Sequence, residues 1–332
     1  MAPIKRVAIL GGTGAQGSSV VKSLSKAGIF EITVPTRNPS SAEAQAIEAL
    51  PNVKLLQADY LTEAGLRSIL ANQDGVYFNM NSFAVTEPFV YFWTFRAYEI
   101  AVQSGLKLFV LPAGPNRYEA HGYKEEFRNA HGVISGRLSD WLSHQPTDIL
   151  PWCITYGGVY AEMLWTLLQP RVRDDGVYEF AAPIGDGNIP FTPLEDYGTR
   201  LRWIFEHPEA STGKTLGWGV MYTSYKDLVQ AFEETTGKQA VFKDLTQDEW
   251  FDRVRVYKDP ETKFPDSGLP DDDTTFTWRQ TFGAWWNFWK YNDRIRDPKR
   301  EKETAAYADE VYPARHKTIK EWMVANNYTG TK

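Results

Sequence analysis

Val7-Ala8-Ile9-Leu10-Gly11-Gly12-Thr13-Gly14-Ala15-Gln16-Gly17 carries the fold. Four apolar residues end on a glycine, the pattern of a short parallel strand buried on both faces. Residues 15 to 27 then take helical spacing, with Val20, Val21 and Leu24 apolar and Gly28 as the stop. Between strand and helix, Gly12, Gly14 and Gly17 satisfy G-x-G-x-x-G, while Gly11, Gly14 and Gly17 satisfy G-x-x-G-x-x-G. Glycines so placed permit a tight turn, close approach of backbone to a pyrophosphate, and close packing of helix on strand. The loop that also holds Thr13, Ala15 and Gln16 leads into a helix whose free N–H groups and positive dipole end favour an anion. A glycine motif alone is generic. Set directly between a buried strand and a helix, it predicts a dinucleotide site.

Strand and helix patterns alternate outward from this stretch. Further strands are expected at 31 to 36, 53 to 57, 75 to 80 and 106 to 111, with a sixth before Tyr156. Helices fill the gaps, among them 88 to 103, where Phe89, Phe92, Trp93, Arg96 and Ile100 follow i, i+3, i+4 spacing. The repetition predicts an α/β fold with a Rossmann-type doubly wound parallel sheet. It occupies residues 1–158 and is completed by a strand near 214–220. Alternation stops after about residue 158, so 159–332 should form mainly a smaller, aromatic-rich C-terminal substrate lobe. Residues 258 to 275 combine three prolines with five aspartates and read as a long solvated loop. Asp271-Asp272-Asp273 belongs to its tip, since no glutamate or glycine stands at calcium-loop spacing. Phe282, Trp285, Trp286 and Trp289 then share one helical face, suited to core packing or to a pocket for a ring-bearing ligand.

Composition narrows the classes. Of 332 residues 42% are apolar and 23% charged, ordinary for a globular enzyme, but 14% are aromatic, with twelve Trp. The net charge of −6 leaves no electrostatic footprint for nucleic acid. A single cysteine, Cys153, excludes an internal disulfide, and five scattered histidines give no metal-ligand spacing. Neither a signal peptide nor an apolar run of membrane-spanning length is visible, so a cytoplasmic protein with no membrane partner is expected.

The choice of cofactor turns on the end of the second strand, where NAD binders place an acidic residue for the ribose 2′-hydroxyl. Here the chain reads Pro35-Thr36-Arg37-Asn38-Pro39. Arg37 would pair with a 2′-phosphate, a charge-assisted bond of about 1.5–3 kcal/mol, so NADP(H) is the expected cofactor. Asn79 and Asn81, closing the fourth strand, are candidates for ribose or amide contacts.

These residues resemble the NmrA-like family of atypical short-chain dehydrogenases, relatives of isoflavone and phenylcoumaran benzylic ether reductases. The similarity rests on GGTGAQG, the turn at 36 to 39, and Ala58-Asp59-Tyr60. It continues through Ile189-Pro190, Asp196-Tyr197-Gly198, Gly213-Lys214, Tyr312-Pro313 and Glu321-Trp322, nearly the whole chain. The resemblance implies that Asp59 and Tyr60 lie at the cofactor, Asp59 near the adenine. It also exposes a departure. Reductases of the family carry His-x-x-x-Lys-Gly-Arg after strand five, the lysine contacting ribose and substrate. Here His131-Gly132-Val133-Ile134-Ser135-Gly136-Arg137 aligns with Ser135 in the lysine's place. Serine supplies at most a ribose contact and no fixed positive charge. Tyr222 and Lys226 have Tyr-x-x-x-Lys spacing but stand at a helix start, where Ser224 and Asp227 resemble a capping box.

Proton donors must then be sought elsewhere. His131 is either a donor near the nicotinamide or a helix N-terminal histidine bonded to backbone. Tyr118 and Tyr123 follow strand five, and Tyr156 and Tyr160 follow strand six; each is either a donor or a packing residue. Three functions stay open. One is NADPH-dependent reduction of a carbonyl, imine or conjugated double bond in an aromatic or polyketide-like molecule of secondary metabolism. A second, known in the resembled family, is a non-catalytic NADP(H) sensor that docks on a regulatory protein. The third is a redox-neutral enzyme on the same fold. A homodimer is possible by analogy with related dehydrogenases.

Overall fold

Apolar runs too short to alternate must be covered on both faces, and in the computed structural model they form one parallel sheet. Residues 3–218, 221–254, 259–264, 276–294 and 297–331 are described. The strands are β1 (Arg6–Ile9), β2 (Glu31–Thr36), β3 (Val53–Gln57), β4 (Gly75–Tyr77), β5 (Leu108–Pro112), β6 (Trp152–Tyr156) and β7 (Lys214–Gly217). Their order is β7-β6-β5-β4-β1-β2-β3, with every neighbouring pair parallel. The order reverses between β1 and β4, which creates the crevice at the C-terminal strand ends where such sheets bind ligands. Among the helices that join these strands are α1 (Ala15–Ala27), α2 (Ala42–Glu48), α3 (Glu63–Leu70), α4 (Glu87–Gln103), α5 (Ala130–Ser143) and α6 (Leu194–Glu206). This is the doubly wound Rossmann-type fold.

The opposite, N-terminal ends of three strands are tied by buried Asp74. Its carboxylate accepts the Lys5 and Arg6 N–H groups and pairs with the side chains of Arg6 at 3.3 Å and Lys107 at 2.8 Å. Burial pushes the carboxyl up, but the Lys107 and Arg6 hydrogen bonds outweigh it and hold it well below the usual range.

Two compact units emerge, each built from several stretches of the chain. The first comprises Met1–Asn116, Ile134–Tyr156 and Leu194–Gly217; the second comprises Arg117–Val133, Gly157–Pro193 and Trp218–Lys332. The chain returns to the sheet because β7 pairs with β6 and α6 packs on α1. In the second unit, Val159–Tyr160, Asn188–Thr192 and Met221–Ser224 form one small sheet, and Arg171–Val172, Tyr178–Ala182 and Ala240–Asp244 another.

Other expectations are corrected in detail. Strand four ends at Tyr77 rather than 80. Strand five starts at Leu108 rather than 106, because Leu106 N–H goes to Ala101 and Lys107 N–H to Asp74. Helix α4 lies where expected but buries Val90, Thr94, Ala97, Tyr98, Ile100 and Ala101, leaving Phe89 47% and Phe92 55% exposed. Its sequence is apolar all round, so spacing alone did not single out the buried face. Within 258 to 275, Lys263–Phe264 is a strand pairing antiparallel with Phe276–Thr277. Residues 258 and 265 to 275, with Asp271-Asp272-Asp273, lie outside the described residues. Phe282, Trp285, Trp286 and Trp289 are all buried on the Trp278–Lys290 helix. Trp286 packs edge-to-face on Trp285 and Trp250, so this stripe is core of the second unit. Among the described residues no helix is long and apolar enough to cross a membrane.

Candidate functional site

The first cluster is the glycine loop. Gly11 adopts φ +70°, which turns the chain sharply out of β1. A Cβ on Gly17 would fall 2.1 Å from the Gly11 carbonyl oxygen, so α1 presses directly on the loop. Gly12 is buried against Val34 of β2. Gly14 caps α1 without a side-chain bond, and Gly14 and Ala15 are exposed while Thr13 and Gln16 are half-buried. With no side-chain cap, the first-turn N–H groups of α1 stay available to an anion. Asn79 reaches the loop, its Nδ2 lying 3.1 Å from where a Gly11 Cβ would stand.

A second cluster lies at the ends of β2 and β3. Exposed Arg37 makes no ion pair among the described residues. Burial pushes the Tyr60 phenol up while the charge of Arg37 beside it pulls the other way. Asp59 accepts the Leu61 N–H at 2.9 Å, which fixes the turn carrying Tyr60, and the Asn81 backbone is hydrogen-bonded to Tyr60. Arg37, Asp59, Tyr60 and Asn81 are therefore neighbours. Asn81 Oδ1 also accepts the Phe83 N–H, which spends that oxygen on a local turn.

A third cluster holds Ser135 and Tyr156. Ser135 Oγ accepts the Gly114 N–H at 2.5 Å and so pins the loop leaving β5. Tyr156, at the end of β6, lays its phenol across Gly217 of β7, where a Cβ would meet the hydroxyl at 2.5 Å. These three clusters belong to one unit and line the C-terminal edge of one sheet.

The remaining candidates belong to the second unit. Tyr118 is buried, donates to Glu125 at 2.9 Å and meets Tyr123 edge-on. Tyr123 is exposed. Half-buried Tyr160 pairs in register with Thr192. His131 stands in the first turn of α5, whose start is capped by Asn129 through the Gly132 N–H. Burial pushes its imidazole down to about 4, so the ring is neutral at pH 7. Lys226 is bound to Asp186 at 2.6 Å, and Ser224 with Asp227 forms the capping box of the Tyr225–Thr236 helix. Tyr222 and Lys226 therefore form no working pair.

Two contributors escaped the sequence reading. Gly114 is recognisable only through its partner Ser135. Arg200 had a visible signal: it occupies the apolar stripe of α6 with Tyr197, Leu201 and Ile204, and it is fully buried.

The NmrA-like family profile matches residues 3–106 and 149–323. The chain belongs to the NmrA-like family. Among its relatives, the NmrA-like family domain-containing oxidoreductase hkm9 of Aspergillus hancockii is 26% identical over 287 residues, covering 79% of this chain and 82% of that one. Among solved structures, the negative transcriptional regulator NmrA in complex with NADP superposes with TM-score 0.73 at 16% identity, covering 97% and 94%. The NADPH-dependent quinone oxidoreductase QOR2 of Escherichia coli, complexed with NADPH, gives 0.70 at 19%, covering 97% and 99%. Both structural likenesses establish the fold that this NmrA-like chain shares.

Proposed function

We propose that the chain is an NADPH-dependent oxidoreductase that reduces a carbonyl, imine or conjugated double bond of an aromatic or polyketide-like small molecule. One observation carries the reading: an uncapped helix N-terminus behind a glycine turn, with unpaired Arg37 at the end of β2. The residues fit the group, because the first-turn N–H groups of α1 would receive the pyrophosphate and Arg37 the 2′-phosphate. NADPH, when bound, supplies the hydride. The protein's own part is to hold the cofactor, exclude water and deliver a proton. Tyr156 is the favoured donor, since it shares a unit with the cradle and stands at a C-terminal strand end. His131 would donate only as a neutral ring. The oxidoreductase names of hkm9 and QOR2 support the enzymatic reading.

One observation favours a second reading. Ser135 is committed to the Gly114 N–H and leaves the ribose without a lysine, while NmrA, of the same fold, is a transcriptional regulator. On that reading the chain reports NADP(H) occupancy to a protein partner. The test is NADPH consumption against a panel of aromatic ketones, quinones, imines and enones, with products identified by mass spectrometry. Turnover that falls about 10²–10⁴-fold in Tyr156→Phe and little in Ser135→Ala supports the enzyme. A blank panel with NADP-dependent capture of a partner supports the sensor.

A further inference from the structure

Arg200 is a cation with no exposed surface, a placement tolerated only when its donors are bound. Its Nη1 donates to the Tyr156 carbonyl at 2.7 Å. Its guanidinium lies 4.5 Å over the Tyr197 ring, and the Tyr197 hydroxyl meets that of Tyr77, on β4, at 2.9 Å. On the β5 side the ladder stops one residue earlier, at Thr155, whose carbonyl accepts the Ala113 N–H. Arg200 thus takes the strand-exit carbonyl just beyond that ladder. Its helix packs closely on α1, since a Cβ on Gly198 would lie 2.3 Å from the Ser19 carbonyl oxygen of that helix.

We propose that Arg200 is a positioning residue that fixes the Tyr156 exit of β6, and with it the nicotinamide half of the cofactor site. The inference rests on the dinucleotide reading above. Arg37 ends β2 on one side of the β1/β4 reversal and Tyr156 ends β6 on the other, and a dinucleotide spans that crevice. Loss of the Arg200 bond therefore loosens one half of the site and spares the other.

The experiment compares two ligands by calorimetry on the full chain: NADPH, and adenosine 2′,5′-bisphosphate, which has the 2′-phosphate but no nicotinamide. Arg200→Met, which keeps volume, weakens NADPH about tenfold, the worth of one charged hydrogen bond, and leaves the bisphosphate within about twofold. Arg200→Lys keeps the charge but loses the planar fork, and recovers part of the NADPH affinity. If Arg200→Met does not fold, Arg200→Lys alone decides, with NADPH weakened and the bisphosphate unchanged. Equal weakening of both ligands, or of neither, overturns the proposal. A wild-type chain that binds neither ligand overturns the dinucleotide reading beneath it, and the proposal with it.

Discussion

In the first unit the groups that the proposed function assigns to a ligand are mostly backbone: the first-turn N–H groups of α1, a glycine turn at φ +70°, and strand ends in fixed register. In the second unit the working material is aromatic side chains. Trp250, Phe282, Trp285, Trp286 and Phe288 pack into one cluster with Tyr118 and Phe127. Backbone sites are indifferent to most side chains but intolerant of added atoms. Aromatic cores tolerate no loss of atoms. The two units should therefore fail in opposite ways when mutated.

The largest expected effect is on stability in the second unit. Trp286 is fully buried between Trp250 and Trp285. Trp286→Ala should cost about 3–5 kcal/mol of unfolding free energy in chemical denaturation while leaving NADPH affinity of the folded protein unchanged. Unchanged stability with a lost substrate KM would instead make Trp286 a pocket wall.

The mirror experiment is Gly14→Ala. A Cβ there meets only the Gly11 carbonyl oxygen, at 3.3 Å, a tight contact that a backbone shift of a few tenths of an ångström relieves. The methyl stands on the exposed mouth of the cradle, and NADPH affinity should fall by about tenfold, a loss near 1.4 kcal/mol, with the melting temperature nearly unchanged. A variant that loses stability but keeps NADPH affinity would break the comparison.

Much of the first unit was legible because its determinants are local. The strand–glycine–helix succession and the turn that carries Arg37 are each set by a few consecutive residues. Ser135 was found by alignment with a motif, but its partner Gly114 lies 21 residues away and required the fold. The second unit was legible only as composition. Whether a tryptophan faces core or cavity depends on contacts such as Trp250 with Trp286, which no helical period specifies. Helix α4 makes the same point inside the first unit: with apolar residues on every side, its spacing fitted more than one buried face.

A smaller effect concerns pH. Burial pushes His131 to about 4, and burial with the Arg117 charge brings His121 to about 4 as well. Both histidines are depressed in the folded protein, so the unfolded chain binds more protons between these values and about 6.5, the ordinary histidine value. Their contribution is complete above about pH 6.5 and is lost as pH falls toward about 4. Denaturation curves at several pH values should show this decline, and His131→Gln should flatten part of it. A wild-type stability that stays level through that window would contradict the burial of both rings.

The central claim is that a backbone cradle plus Arg37 selects NADP(H), and calorimetric titration with NADPH and NADH tests it most directly. The wild-type chain should bind NADPH about ten- to a hundredfold more tightly, the worth of one charge-assisted phosphate pair. Arg37→Ala should remove most of that preference by weakening NADPH while leaving NADH nearly unchanged. Equal affinity for both cofactors in the wild-type chain, or a preference that survives Arg37→Ala, would contradict the account.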